Sequence, residues 1–213
     1  MNPRLRGLYF VTPGNAAGRL ELVLAALRGG ARIVQYRDKT DDIEARRREA
    51  DAILALCQRA GALCLVNDDV ELCQAIGADG VHLGEADAAI EAARARLGAD
   101  RIIGASCYND LQQAHAAVAA GADYVAFGSV YPSATKPQAR RADLNLLRAA
   151  RIELKVPMCA IGGITAENAA PVVAAGADMV AVIQGISASP DPEAAARALQ
   201  ALFSATYLDG SAR

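Results

Sequence analysis

Gly121-Ala122-Asp123-Tyr124-Val125 recurs with small changes as Gly30-Ala31-Arg32-Ile33-Val34, Gly77-Ala78-Asp79-Gly80-Val81 and Gly176-Ala177-Asp178-Met179-Val180. Each copy reads as a helix end, a turn and the start of a buried strand. Glycine accepts left-handed backbone, Ala-Asp suits the turn, and an apolar run follows. The copies lie 47, 44 and 55 residues apart. A βα unit takes about 25 residues, so each interval has room for one further strand. The apolar runs Leu63 to Val66, Ile102 to Ser106 and Pro157 to Ile161 fill those places, and Leu8 to Thr12 precedes them all. Stretches rich in Ala, Leu, Arg and Glu, clearest at Asp41 to Ala60, Asp87 to Leu97, Asn109 to Ala120 and Asp191 to Leu202, read as helices. Strict alternation implies a parallel sheet. Eight such units predict an α/β fold, a (β/α)₈ TIM barrel in one domain over residues 1–213 with its last few residues flexible. An open doubly wound sheet competes, weakened by the absence of GxGxxG after the first strand.

Composition narrows the function. Twenty-two Lys and Arg against 24 Asp and Glu give a net charge of -2, so no global field favours nucleic acid or an anionic membrane. No apolar run reaches the roughly 18 residues of a membrane span, and an unprocessed, soluble, cytoplasmic protein is expected. Cys57, Cys64, Cys73, Cys107 and Cys159 are odd in number and lack zinc-type spacing, which argues against a disulfide framework or a structural metal site. The composition is compatible with a homo-oligomer.

In such a barrel the active site gathers at the C-terminal ends of the strands, and those positions are polar here. After the second strand comes Gln35-Tyr36-Arg37-Asp38-Lys39. Gln35, Arg37 and Lys39 share the parity of Ile33, whereas Val34 and Tyr36 face the helices. Only three lysines occur, and two of them, Lys39 and Lys136, fall at strand ends, where an ammonium suits phosphate. The third strand exits into Asn67-Asp68-Asp69 and the fourth into His82-Leu83-Gly84-Glu85-Ala86-Asp87. Asp69 and Asp87 suit helix N-caps. Asp68 with Asp87 also suits Mg²⁺, which takes one or two carboxylates, waters and phosphate oxygens. His82 has the parity of Gly84 and should face inward, where a hydrogen-bonded core histidine is at least as good a reading as an acid or base. Ser106 is either a ligand donor or a cap. The sixth strand opens into Tyr131-Pro132-Ser133-Ala134-Thr135-Lys136-Pro137, the seventh into Gly162-Gly163-Ile164-Thr165, and the eighth into Ile183-Gln184-Gly185. The last two suit the common barrel phosphate site, although a glycine pair also serves as a plain turn. One mouth thus carries a cationic, metal-assisted anion site and a neutral N–H site, which fits a diphosphate electrophile and a monophosphate partner.

Gln35-Tyr36-Arg37-Asp38-Lys39, Asn67-Asp68, His82 to Asp87, Tyr131 to Lys136 and Ile161-Gly162-Gly163-Ile164-Thr165, in this order, resemble the thiamine phosphate synthase family over roughly Leu8 to Leu202. The resemblance implies a transferase that couples a hydroxymethylpyrimidine diphosphate to a thiazole phosphate with Mg²⁺, releasing pyrophosphate by a dissociative route. It places Gln35, Arg37, Lys39, Asn67, Ser106 and Lys136 at the pyrimidine diphosphate, with Arg37, Lys39 and Lys136 catalytic, and counts Tyr36, Asp38 and Ala134 among the substrate-binding residues. Asp68 and Asp87 fall on the metal, and Ser133, Thr135, Gly163, Ile183 and Gln184 at the thiazole phosphate. Glu85, Tyr108, Ser133 and Gln184 stand where the family often has Gln, His, Thr and Ser. The rivals are a thiazole tautomerase on the same barrel, a silent binding module, and a Schiff-base aldolase. The diphosphate clamp disfavours the first, and the third is weakened because no lysine lies within an expected strand.

Overall fold

The repeated glycines terminate helices as their chemistry requires. In the computed structural model, which describes residues 2–14, 17–84, 89–132 and 141–205, Gly30, Gly77, Gly121 and Gly176 all have φ between +71° and +105°. A side chain is strained in that region, and the chain reverses there into the next strand. The strands are β1 (Gly7–Val11), β2 (Ile33–Tyr36), β3 (Leu63–Asn67), β4 (Gly80–Leu83), β5 (Ile102–Tyr108), β6 (Tyr124–Phe127), β7 (Met158–Ile161) and β8 (Met179–Val182). Helices α1 (Arg19–Arg28), α2 (Ile43–Ala60), α3 (Val70–Ile76), α4 (Ile90–Leu97), α5 (Leu111–Ala119), α6 (Leu144–Glu153), α7 (Ala170–Ala174), α8 (Gln184–Ser187) and α9 (Pro192–Ala205) alternate with them. Every strand pairs in parallel with the next, and β8 returns to β1 with Gly7 opposite Met179 and Phe10 opposite Val182. The open-sheet alternative is therefore excluded.

Strand parity divides the core in two. Tyr9, Val11, Ile33, Leu63, Leu65, Ile102, Tyr124, Ala126, Cys159 and Met179 pack inside the barrel. Leu8, Phe10, Val34, Tyr36, Cys64, Val66, Val81, Ile103, Val125 and Val180 pack outward against the helices. Tyr124 needs room across the interior, and Gly104 supplies it: a Cβ there would lie 2.0 Å from the phenol ring.

The aspartates of the repeat do more than turn the chain. Asp79, Asp123 and Asp178 each donate their own N–H to the carbonyl of Cys64, Ile103 and Met158 on the preceding strand. Their carboxylates accept the N–H of the same three residues at 2.8, 2.7 and 2.9 Å. In the first copy Arg32 replaces the aspartate. Its N–H still reaches the carbonyl of Leu8, but the Leu8 N–H is left for a side chain elsewhere. Gln200 on α9 provides it, with Oε1 2.8 Å away, and a Cβ at Gly7 would come within 2.7 Å of that oxygen. The N-terminal end of the barrel is thus closed by carboxylates at three joints and by an amide at the fourth.

Gln200→Ala should cost about 1–3 kcal/mol, the usual penalty for stranding a buried donor, in urea denaturation. A loss below about 0.5 kcal/mol would mean that another acceptor, water included, takes the Leu8 N–H without penalty. The cysteines give a second test. All five are free and buried, and burial pushes the thiols of Cys73 and Cys107 up to about 11 and about 12. At pH 8 a disulfide dye should find no fast thiol in the folded chain and all five after denaturation. Any fast phase in the native protein would contradict this packing.

Candidate active site

Barrel closure brings the β2 exit to one rim with the ends of the other strands. Gln35 is buried on the inner face and its Nε2 donates to the Tyr9 hydroxyl at 2.6 Å. Arg37 follows on the same side. Thr12, just past β1, accepts the Arg37 N–H through Oγ1 at 2.8 Å and donates to the Arg37 carbonyl at 3.1 Å. Gly14 passes so close that a Cβ would stand 2.7 Å from Nη1 of Arg37, so glycine here makes room for the guanidinium.

Tyr36 and Asp38 correct an expectation. The family resemblance placed both at the ligand, but their side chains turn to the helix layer, as strand parity required of Tyr36. The Tyr36 hydroxyl lies 3.2 Å from Asp38 and 3.1 Å from Glu49 of α2. Arg19 at the start of α1 donates to Asp38 at 3.1 Å and to Glu49, and sits 5.6 Å over the Tyr36 ring. Burial alone would raise the Asp38 pKa, but the Thr40 N–H and Arg19 outweigh it and hold the carboxyl below its ordinary value. Arg19 also donates to the carbonyl of Gly14 at 3.2 Å. This buried cluster fixes the two loops between which Arg37 emerges.

Lys39 and Asp68 meet directly, Nζ to Oδ2 at 2.8 Å, and the Asn67 amide donates to the same oxygen. Asp68 adopts φ +64°, a conformation disfavoured for most residues and common where a side chain must be aimed at a site. Asp69 has the structural part expected of it: its carboxylate accepts the Leu72 N–H at 2.8 Å at the start of α3 and pairs with Arg46. Ser106 is not a cap. Asp110 caps α5 through the Gln112 and Gln113 N–H groups, while Ser106 Oγ lies 2.9 Å from Nε2 of His82. His82 faces inward as its parity indicated, and its Nδ1 lies 2.8 Å from the Tyr124 hydroxyl. His115 is on the outside, paired with Glu153.

The opposite wall is backbone-rich. Gly162 and Gly163 have φ +103° and +64°. A Cβ on either would strike the loop after β6, at Ser129 Oγ (2.2 Å) or the Pro132 carbonyl (2.3 Å). Packing alone therefore requires both glycines, whatever they bind. The two loops are joined by Val130 N–H to Ile161 O and Tyr131 N–H to Gly162 O. The loop after β6 leaves at Pro132 and is held on its return by Ala142 N–H to Ser129 O and by Arg141 to the Val130 carbonyl. Asn168 accepts the Thr165 N–H and donates to the Gly163 carbonyl, fixing the turn after β7.

These walls enclose a cleft of about 410 Å³, and Gln35, Arg37, Asn67, Ser106, Gly163, Ile183 and Gln184 all line it. Lys39 and Asp68 stand beside Arg37 and Asn67 on the cationic side. Asp87, Glu85, Ser133, Ala134, Thr135 and Lys136 lie outside the described residues. Among the described residues no group of three or more His, Cys, Asp or Glu gathers around a metal position, and no helix is long and apolar enough to cross a membrane. Sequence reasoning left Tyr9 out of the cleft and missed the part played by Tyr124. Their signal was two tyrosines at interior parity, which reads as ordinary core until the hydroxyls are seen to meet at 2.9 Å.

The family profile described as thiamine monophosphate synthase (TMP-TENI) matches residues 8–186. A thiamine-phosphate synthase of Thioalkalivibrio sulfidiphilus is 58% identical over 203 residues, covering 94% of this chain and 96% of that protein. One from Chromobacterium violaceum is 55% identical and covers 96% of this chain and all of its own length. The solved thiamine phosphate pyrophosphorylase of Pyrococcus furiosus superposes with a TM-score of 0.89 at 35% identity, covering 96% of this chain and 98% of that one. With its eight-stranded barrel and its cleft at the strand ends, the chain belongs to the thiamine monophosphate synthase family, and it is a transferase.

Proposed function

We propose that the chain forms thiamine phosphate by joining 4-amino-2-methyl-5-(diphosphooxymethyl)pyrimidine to 4-methyl-5-(2-phosphoethyl)thiazole, with departure of pyrophosphate. The observation that carries this reading is the two-sided cleft. Gln35, Arg37 and Asn67, with Lys39 and Asp68 beside them, line one side of a rim whose other side is Gly163, Ile183 and Gln184. A diphosphate needs counter-charge as it departs, whereas a monophosphate is held adequately by neutral donors.

On this reading Arg37 and Lys39 bind the diphosphate and balance the negative charge that grows on it, with Lys136 as a third cation. Gln35 and Ser106 hold the pyrimidine end, and the β7 and β8 loops hold the thiazole phosphate in line for attack. Pyrophosphate leaves first, the pyrimidine methylene carries the positive charge, and the thiazole nitrogen closes the new C–N bond. No protein nucleophile is required. Asp68 fits a Mg²⁺ ligand by chemistry and place: an oxygen donor at the rim, on strained backbone, beside the cations that face phosphate. Asp87 is the proposed second ligand. When bound, the ion would add counter-charge to the leaving diphosphate.

Asp68→Ala and Lys136→Ala should each slow thiamine phosphate formation by about 100-fold or more, as loss of charge stabilisation in a transition state does. Undiminished turnover in both variants would defeat the assignment. Both substrates incubated with and without EDTA complete the test. Product should form only while the divalent ion is present, and metal-independent product would remove Mg²⁺ from the scheme.

A further inference from the structure

Five polar side chains from five strands form one unbroken hydrogen-bonded chain across the barrel floor. Gln35 Nε2 donates to the Tyr9 hydroxyl at 2.6 Å, and that hydroxyl lies 2.9 Å from the Tyr124 hydroxyl. Tyr124 reaches His82 Nδ1 at 2.8 Å, and His82 Nε2 reaches Ser106 Oγ at 2.9 Å. Counting protons gives the chain a direction. Tyr9 is fully buried and, among the described residues, its hydroxyl has only these two partners. The Gln35 amide nitrogen cannot accept, so the Tyr9 proton must go to Tyr124. With the imidazole neutral, Tyr124 gives its own proton to Nδ1 of His82 and the ring proton lies on Nε2. That N–H donates to Ser106, whose oxygen is thereby an acceptor and whose own proton is released for another partner. Ser106 lines the cleft.

We propose that Tyr124 is a positioning residue: through His82 it holds the Ser106 hydroxyl as a donor aimed into the cleft, where the departing diphosphate or the pyrimidine of the reaction proposed above can accept it. This inference rests on that reading of the cleft. Tyr124 has no solvent exposure and does not line the cleft, so any effect of its hydroxyl on turnover must pass through the chain. The surroundings fix the ring as well. It stacks on His82 at 5.6 Å between centroids, meets Tyr9 edge-on at 6.2 Å, and fills the space that Gly104 leaves.

The chain has only two histidines, His82 and His115, so a His115→Gln background with ¹⁵N-labelled histidine reports on His82 alone. The ligand-free protein should show a protonated Nε2 and a bare Nδ1, and Tyr124→Phe should mix the two tautomers. Protonation at Nδ1 in the parent would reverse the whole chain and overturn the proposal. This measurement needs neither substrate nor turnover. In kinetics, Tyr124→Phe keeps the ring and should lower kcat about tenfold while KM for each substrate stays within about twofold. Ser106→Ala should lower kcat at least as much. The double variant should match Ser106→Ala within about twofold, because the two residues act as one unit. Independent, multiplying losses or an unchanged kcat in Tyr124→Phe would overturn the proposal. If the parent protein makes no thiamine phosphate, the reading of the reaction fails, and the imidazole spectrum alone then decides the tautomer chain.

Discussion

The pairing of β8 with β1 is the contact on which the rest depends. Gly7 to Phe10 lie in register with Met179 to Val182, which removes both free edges of an eight-stranded parallel sheet. Once the sheet closes, every strand must end on the same rim, and residues more than a hundred positions apart become neighbours there. The two rims then do different work. At the N-terminal one, Asp79, Asp123, Asp178 and Gln200 satisfy strand N–H groups and lock the joints. At the C-terminal one, polar groups are gathered for a ligand, and Asp68 and Tyr108, the two non-glycine residues with left-handed backbone among the described residues, lie there.

Period-two parity was the part of the sequence that carried most information. It placed Ile33 and Gln35 inside and Val34 and Tyr36 outside and turned His82 inward, while the glycine repeat and the apolar runs between its copies located the eight strands to within a residue or two. Tyr36 and Asp38 went astray because a family motif was carried over as a block, although parity sends Tyr36 to the helices. What stayed hidden were pairings across space with no local periodicity. Nothing in Arg32 announces that Gln200 will replace a missing carboxylate, and nothing near Tyr9 points to Tyr124, 115 residues away. Alternation along a strand reports which face a residue takes, but partner identity is decided by barrel register.

The two ion-pair groups near the β2 exit illustrate how burial separates scaffold from working site. Arg19 and Asp38 have side chains 5% and 7% exposed, and removing one partner of such a pair typically costs about 3–5 kcal/mol because the other charge is stranded. That pair holds the loop and is too costly to break during turnover. Lys39 and Asp68 are 51% and 27% exposed, where an ion pair contributes no more than about 1 kcal/mol. In the reaction proposed above, the diphosphate would therefore draw Lys39 away at small cost, and the proposed divalent ion would bind at the Asp68 carboxylate. The contact that looks like a closed salt bridge without ligand is thus suited to be the first to open, while the buried one behind it keeps Arg37 in place.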